Sequence, residues 1–384
     1  MTQPKRVLYR GVPMIEGWPC VALSRYALAT AKGVSADGVE SPRFLKMRTR
    51  SSSICMLALL LVVSAAIMHG QACAPWHDPS AHKVQFVTVR DGVRLEVLDW
   101  GGSGRPVVLL AGYSTAHVYD ELAPKLTDSA HVYGITRRGL GNSSKPPGGY
   151  TAQDSAEDVL QVLDALKLEK PILAGHSFGG QDLSVIGAMH PDRVGGLVYL
   201  DSAEDISLGP VNKSVKEPEQ SQLPQAIRNP PQPDKTSFGA YREWWRANHG
   251  IIFPEAELRQ SYACNPDGSV GQYLVSQEVR DAMFAGLASP DYARVRAPVL
   301  ALFALPASLE DQMKRYKPQT PSEGAALGLR YGLQLAWVAR NEDALKRGVS
   351  GVRIVELADA NHYIFLSNEA DVLREMHAFL AELR

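Results

Sequence analysis

Apolar and polar residues alternate over 84–89 and again over 93–98, with Asp91-Gly92 between them as a turn signal, so the chain predicts a β-hairpin there. The run 106–111 is different: it is continuously apolar, the pattern of a strand buried on both faces. Strand-like segments follow at 131–135, 171–174 and 194–200, and helical periodicity separates them at 152–168 and 181–189. Strands taking turns with helices predict an α/β fold: a mostly parallel sheet with helices on both faces. Near residue 205 the rhythm stops. Prolines and an aromatic cluster (Phe238, Tyr241, Trp244, Trp245, Phe253) occupy the stretch to about 290. The rhythm resumes with a strand at 298–303, a helical region to about 347, a strand at 352–357 and a closing helix at 369–383. The expected organisation is a core in two parts, 84–204 and 291–384, with 205–290 inserted as a cap or lid over the carboxyl edge of the sheet.

The chain begins differently. Residues 1–46 carry Gly, Pro and Ser throughout and show no period, which reads as a disordered or mis-assigned upstream extension with translation starting at Met47. From Met47 the chain has a short basic segment, an apolar run over 54–68 and small residues ending at Ala74, the layout of a secretory signal over 47–74. The apolar run is shorter than the ~20 residues of a spanning helix. An exported protein, periplasmic or secreted, is the expectation. Of four cysteines, Cys20 and Cys55 fall in the part expected to be lost, and a Cys73–Cys264 disulfide can form after export. Cys73 also suggests lipid anchoring, the one route to a membrane, although Gly70 stands where a lipobox has a Leu-like residue.

Composition is ordinary for a globular protein of 384 residues, 45% hydrophobic and 21% charged. A net charge of -1 argues against nucleic acid as a partner, and no His/Cys/carboxylate spacing suggests a metal. A small-molecule substrate without a cofactor is the expectation.

The chemistry concentrates at Gly175-His176-Ser177-Phe178-Gly179-Gly180, between a predicted strand and a predicted helix. In that context Gly-x-Ser-x-Gly holds a serine on a tight turn and leaves the next backbone N–H, that of Phe178, free for an oxyanion. Three further segments accompany it in order: Leu110-Ala111-Gly112-Tyr113, then Thr136-Arg137-Arg138-Gly139-Leu140-Gly141-Asn142-Ser143, then Ala360-Asn361-His362 between a strand and the last helix. Over residues 84–384 this set resembles the α/β-hydrolase family. The resemblance implies Ser177 as nucleophile, His362 as general base, and the backbone N–H groups of Tyr113 and Phe178 as oxyanion hole.

Three positions depart from the family pattern. Ala111 replaces the usual His, Thr136 the usual Asp, and the segment after the strand at 298–303 lacks the usual Gly-x-x-Asp turn, reaching an acid only at Glu310 and Asp311. Asp201, at the end of the strand 194–200, is the expected orienting acid, as in some relatives; Glu310 and Asp311 are the alternatives, with Glu204 and Asp205 behind them. His176 is expected to be a packed structural residue and His377 a boundary residue. Trp244 and Trp245 either line the pocket or pack the lid. The expected reaction is hydrolysis of a carboxylic ester or thioester through an acyl-enzyme. Haloperoxidase-like, lactone, amide and C–C cleavage remain open on the same triad, and so does a non-hydrolytic binder of the same fold. Aspartate-dependent dehalogenase and epoxide chemistry is excluded by Ser177 itself.

Overall fold

The computed structural model describes residues 73, 75–205 and 215–383. The expected extension 1–46, the signal apart from Cys73, and 206–214 of the insertion lie outside the described residues. Ten strands are present among the described residues: β1 (Lys83–Thr88), β2 (Arg94–Gly102), β3 (Pro106–Leu110), β4 (His131–Ile135), β5 (Ile172–His176), β6 (Gly196–Leu200), β7 (Tyr262–Cys264), β8 (Val270–Tyr273), β9 (Val299–Ala304) and β10 (Arg353–Leu357). Eight of them form one sheet in the order β1-β2-β4-β3-β5-β6-β9-β10. β2 pairs antiparallel with β1 and β4, and the remaining neighbours are parallel.

The continuous apolar run in β3 has a direct physical outcome. Val107 and Leu109 point into one core, while Val108 and Leu110 point into the other. The second core is closed by helices α1 (Ala152–Ala165) and α2 (Gly179–Met189), through Val159, Leu163, Leu183 and Ile186. α1 starts where Thr151 and Asp154 cap each other's backbone N–H groups, which satisfies two donors that the first helical turn cannot.

The stretch between β6 and β9 contains α3 (Phe238–His249), α4 (Glu255–Ser261), the β7–β8 hairpin and α5 (Gln277–Ala285). The hairpin had no clear signal in the sequence, because its two strands are short. After β9 come α6 (Leu309–Tyr316) and the long α7 (Pro321–Gly348), and α8 (Glu369–Glu382) closes the chain. α8 packs Val372, Met376, Phe379 and Leu380 against the first core.

Cys73 and Cys264 are joined by a disulfide that ties the chain ahead of β1 to β7. Loss of the whole segment 47–74 expected as a signal would remove Cys73, so the bridge and that boundary exclude one another. The same sulfur cannot also carry a lipid, so the disulfide and the Cys73 anchor exclude one another. The bridge spans 191 positions, and closing so long a loop restricts the unfolded chain strongly. The Cys73→Ser/Cys264→Ser variant should therefore lose about 2–5 kcal/mol of stability, read from denaturant midpoints. An unchanged midpoint would show that the bridge does not form in solution.

Candidate active site

Ser177 follows β5 directly and has φ 53°, left-handed backbone that a residue with a Cβ adopts only at a cost. The turn exists because its surroundings leave no room to relax. A Cβ on Gly179 would lie 2.3 Å from the carbonyl oxygen of Leu110, and one on Gly112 would lie 2.5 Å from the Ser177 Cβ and 2.9 Å from the Phe178 nitrogen. The second approach brings the loop carrying Tyr113 against the elbow, so the backbone around Tyr113 and Phe178 flanks Ser177. Their rings meet edge to face at 6.1 Å, and Tyr273 and Phe284 from the insertion complete an apolar wall there.

Asp201 directly follows β6, also with positive φ. It is buried, and its carboxylate is held from two sides. The Ala304 N–H donates to Oδ1 at 2.9 Å, and His362 Nδ1 donates to Oδ2 at 2.7 Å. Burial disfavours a charged imidazole at His362, but the Asp201 carboxylate outweighs it and raises the group above its ordinary value. Glu310 and Asp311 sit elsewhere. They open α6, they are largely exposed, and they pair with Lys314.

His176 is fully buried, with its ring 4.5 Å from that of His362, and its Nε2 donates to the His362 carbonyl. Desolvation pushes it well below the usual imidazole range, so it is a neutral prop for the His362 loop. His377 is half-buried on α8 and hydrogen-bonds Ser129. Trp245 is buried in the first core and contacts Phe253, which in turn meets Tyr363; Trp244 is half-buried beside it.

Two carboxylates escaped the sequence reading. Thr136, at the position of the usual Asp, donates its hydroxyl to Glu96 Oε2 and accepts from the Ala116 N–H. Fully buried Glu96 on β2 thus supplies a carboxylate beside the position where one is missing, and it also receives Asn142 and Gln260. Glu96 shares its strand face with exposed Arg94, so alternation carried no sign of its role. Glu257 on α4 accepts the N–H of Thr115, two residues beyond Tyr113, and the Ser261 hydroxyl. Burial pushes it up to about 7 despite these bonds.

The profile of the alpha/beta hydrolase family matches residues 107–375. The chain belongs to that family. Within it, a 2-(acetamidomethylene)succinate hydrolase of Mesorhizobium japonicum is 34% identical over 101 residues, 26% of this chain and 36% of that protein. The curated relatives are matched over less than half of their own length. The solved structure of an E-2-(acetamidomethylene)succinate hydrolase superposes with a TM-score of 0.55 at 21% identity, covering 78% of this chain and 99% of that one. Est816, described as degrading N-acyl homoserine lactones, gives a TM-score of 0.51 at 21% identity, covering 77% and 100%. Identities this low establish a shared alpha/beta hydrolase fold; the bond that is cleaved varies among its members.

Proposed function

We propose that this alpha/beta hydrolase cleaves a carboxylic ester or thioester of a small, apolar substrate through an acyl-enzyme. The observation that carries the reading is the hydrogen bond from half-buried His362 to buried Asp201, with the His362 ring packed on His176, the residue before a serine held on a positive-φ elbow. With Nδ1 engaged by Asp201, His362 keeps Nε2 free as the base. Ser177 Oγ attacks the carbonyl carbon while its proton passes to Nε2. The oxyanion is stabilised by the Tyr113 and Phe178 N–H groups. As the tetrahedral intermediate collapses, the C–O or C–S bond breaks and His362 returns the proton to the leaving group. Water then enters, activated by the same base, and releases the acid and Ser177.

The apolar wall of Tyr113, Phe178, Tyr273 and Phe284 supports an apolar acyl or ring group in the substrate. The inserted stretch would then act as the lid, with Trp244 and Trp245 giving it body. Export is part of the proposal, supported by the Cys73–Cys264 bridge.

Treatment with a fluorophosphonate probe tests the reading. Adduct formation mapped to Ser177, followed by burst release from an activated ester, is the expected result. A folded protein that neither labels at Ser177 nor turns over esters, but is stabilised by small apolar ligands, would show a binder instead.

A further inference from the structure

Asp78 and His82, ahead of β1, meet His117, on the short 3-10 turn Ala116–Tyr119 that follows the Tyr113 loop, and Asp120, the residue that caps it. The pairs are spaced i,i+4 and i,i+3 along the chain. The donor atoms lie close together. His82 Nδ1 is 2.9 Å from Asp120 Oδ1, and His117 Nδ1 is 3.1 Å from Asp120 Oδ2 and 3.3 Å from Asp78 Oδ2. His82 Nε2 is 3.6 Å from Asp78 Oδ2. Taking one donor atom from each residue, all four lie within 4.8 Å of one another, and zinc would draw them in to the roughly 3.3 Å separation of a tetrahedral site.

We propose that Asp78, His82, His117 and Asp120 form a structural zinc site. Three observations join the geometry. First, the site is buried: the side chains of His82, His117 and Asp120 are 3–4% exposed, while Asp78 at 24% leaves an entry path. Second, the charge needs a cation. Two carboxylates enter a space already bordered by fully buried Glu96, and a divalent ion balances the pair. Third, the ligands are themselves held. Trp100 Nε1 donates to Asp120 Oδ1. With zinc on Nδ1, the His117 Nε2–H would turn to Glu96 Oε1, now 3.8 Å away, and the Gln260 amide, now donating to Nε2 at 2.7 Å, would give way. A carboxylate behind a ligating imidazole is the usual means of orienting it.

Two nitrogens with two carboxylate oxygens suit zinc. Calcium and magnesium take six or more oxygens. The four ligands come in two pairs far apart in the chain, with no repeated spacing, so no metal signal was legible in the pattern of residues. Zinc would bind through the imidazole lone pairs, and a proton held on His117 would leave to solvent. The ion would fasten the segment ahead of β1 to the turn that begins three residues beyond Tyr113.

The test uses the purified full chain, stripped with a chelator, dialysed against zinc chloride and analysed by elemental mass spectrometry. One zinc per chain and a rise in Tm on zinc addition are expected. Cobalt(II) in its place should give the intense visible bands of tetrahedral coordination. His117→Ala and the milder Asp78→Asn should each weaken zinc binding more than about tenfold. His362→Ala should keep one zinc, which separates this site from the His362–Asp201 pair. Failure of the wild-type chain to retain zinc, or full retention by both His117→Ala and Asp78→Asn, would overturn the proposal. The four groups would then be bridged by protons alone.

Discussion

Ser177→Ala should lower kcat on an activated ester by about 10⁴–10⁶-fold and leave Tm unchanged. The first part follows from chemistry: without Oγ there is no acyl-enzyme, and only the oxyanion N–H groups and substrate positioning still act. The second follows from the elbow. Serine and alanine both carry a Cβ at φ 53°, so the backbone strain is common to the two and cancels. Ser177→Gly removes that Cβ as well. It should be equally inactive and more stable by about 1 kcal/mol, since glycine adopts this conformation freely. Turnover surviving in Ser177→Ala would remove the nucleophile assignment. A Tm that falls for both variants would show that the hydroxyl holds the fold rather than the reaction.

Asp201→Asn should cost about 10⁴-fold in kcat, with the fold retained because asparagine tolerates left-handed backbone as aspartate does. The amide can still accept from the Ala304 N–H. Its NH2 group, however, would face His362 Nδ1, which must then accept, and the imidazole proton moves to Nε2, the atom that has to act as base. The pH profile gives an independent reading. His362 works only when neutral, and Asp201 raises its pKa, so in the wild type kcat/KM should fall as pH drops through a value above the ordinary imidazole pKa. In Asp201→Asn the imidazolium loses its counter-charge, and that acid limb should move to lower pH. Glu310→Gln and Asp311→Asn should leave both kcat and the limb in place. Loss of activity in either would return the acid role to α6.

The sheet was legible because both faces of its central strands are buried, and a buried strand writes itself as an apolar run such as 106–111. The elbow was legible because its glycines are demanded locally, by approaches within a few residues and to the next strand. Asp201 and His362 are 161 positions apart, and local pattern favoured Asp201 while leaving Glu310 and Asp311 as alternatives; the placement of β6 beside β9 brings Asp201 to the histidine and leaves the others in solvent. Glu96 and Glu257 were hidden for the same reason. A buried carboxylate is defined by the partners that surround it, and for Glu96 these are Thr136 and Asn142 of one loop and Gln260 from far along the chain. Departures such as Thr136 show only that something differs, not what stands in.

The inserted stretch is fastened in its middle. Cys264 is bonded to Cys73, Glu257 holds the Thr115 N–H, and Gln260 holds Glu96, all within one turn of helix and the strand after it. As the proposed lid, a stretch pinned in this way would not swing aside as a flap. Its aperture is set when the chain folds, and admission depends on the size and shape of a single dissolved molecule. Such an enzyme should saturate smoothly with monomeric substrate and show no jump in rate when the substrate forms droplets or micelles.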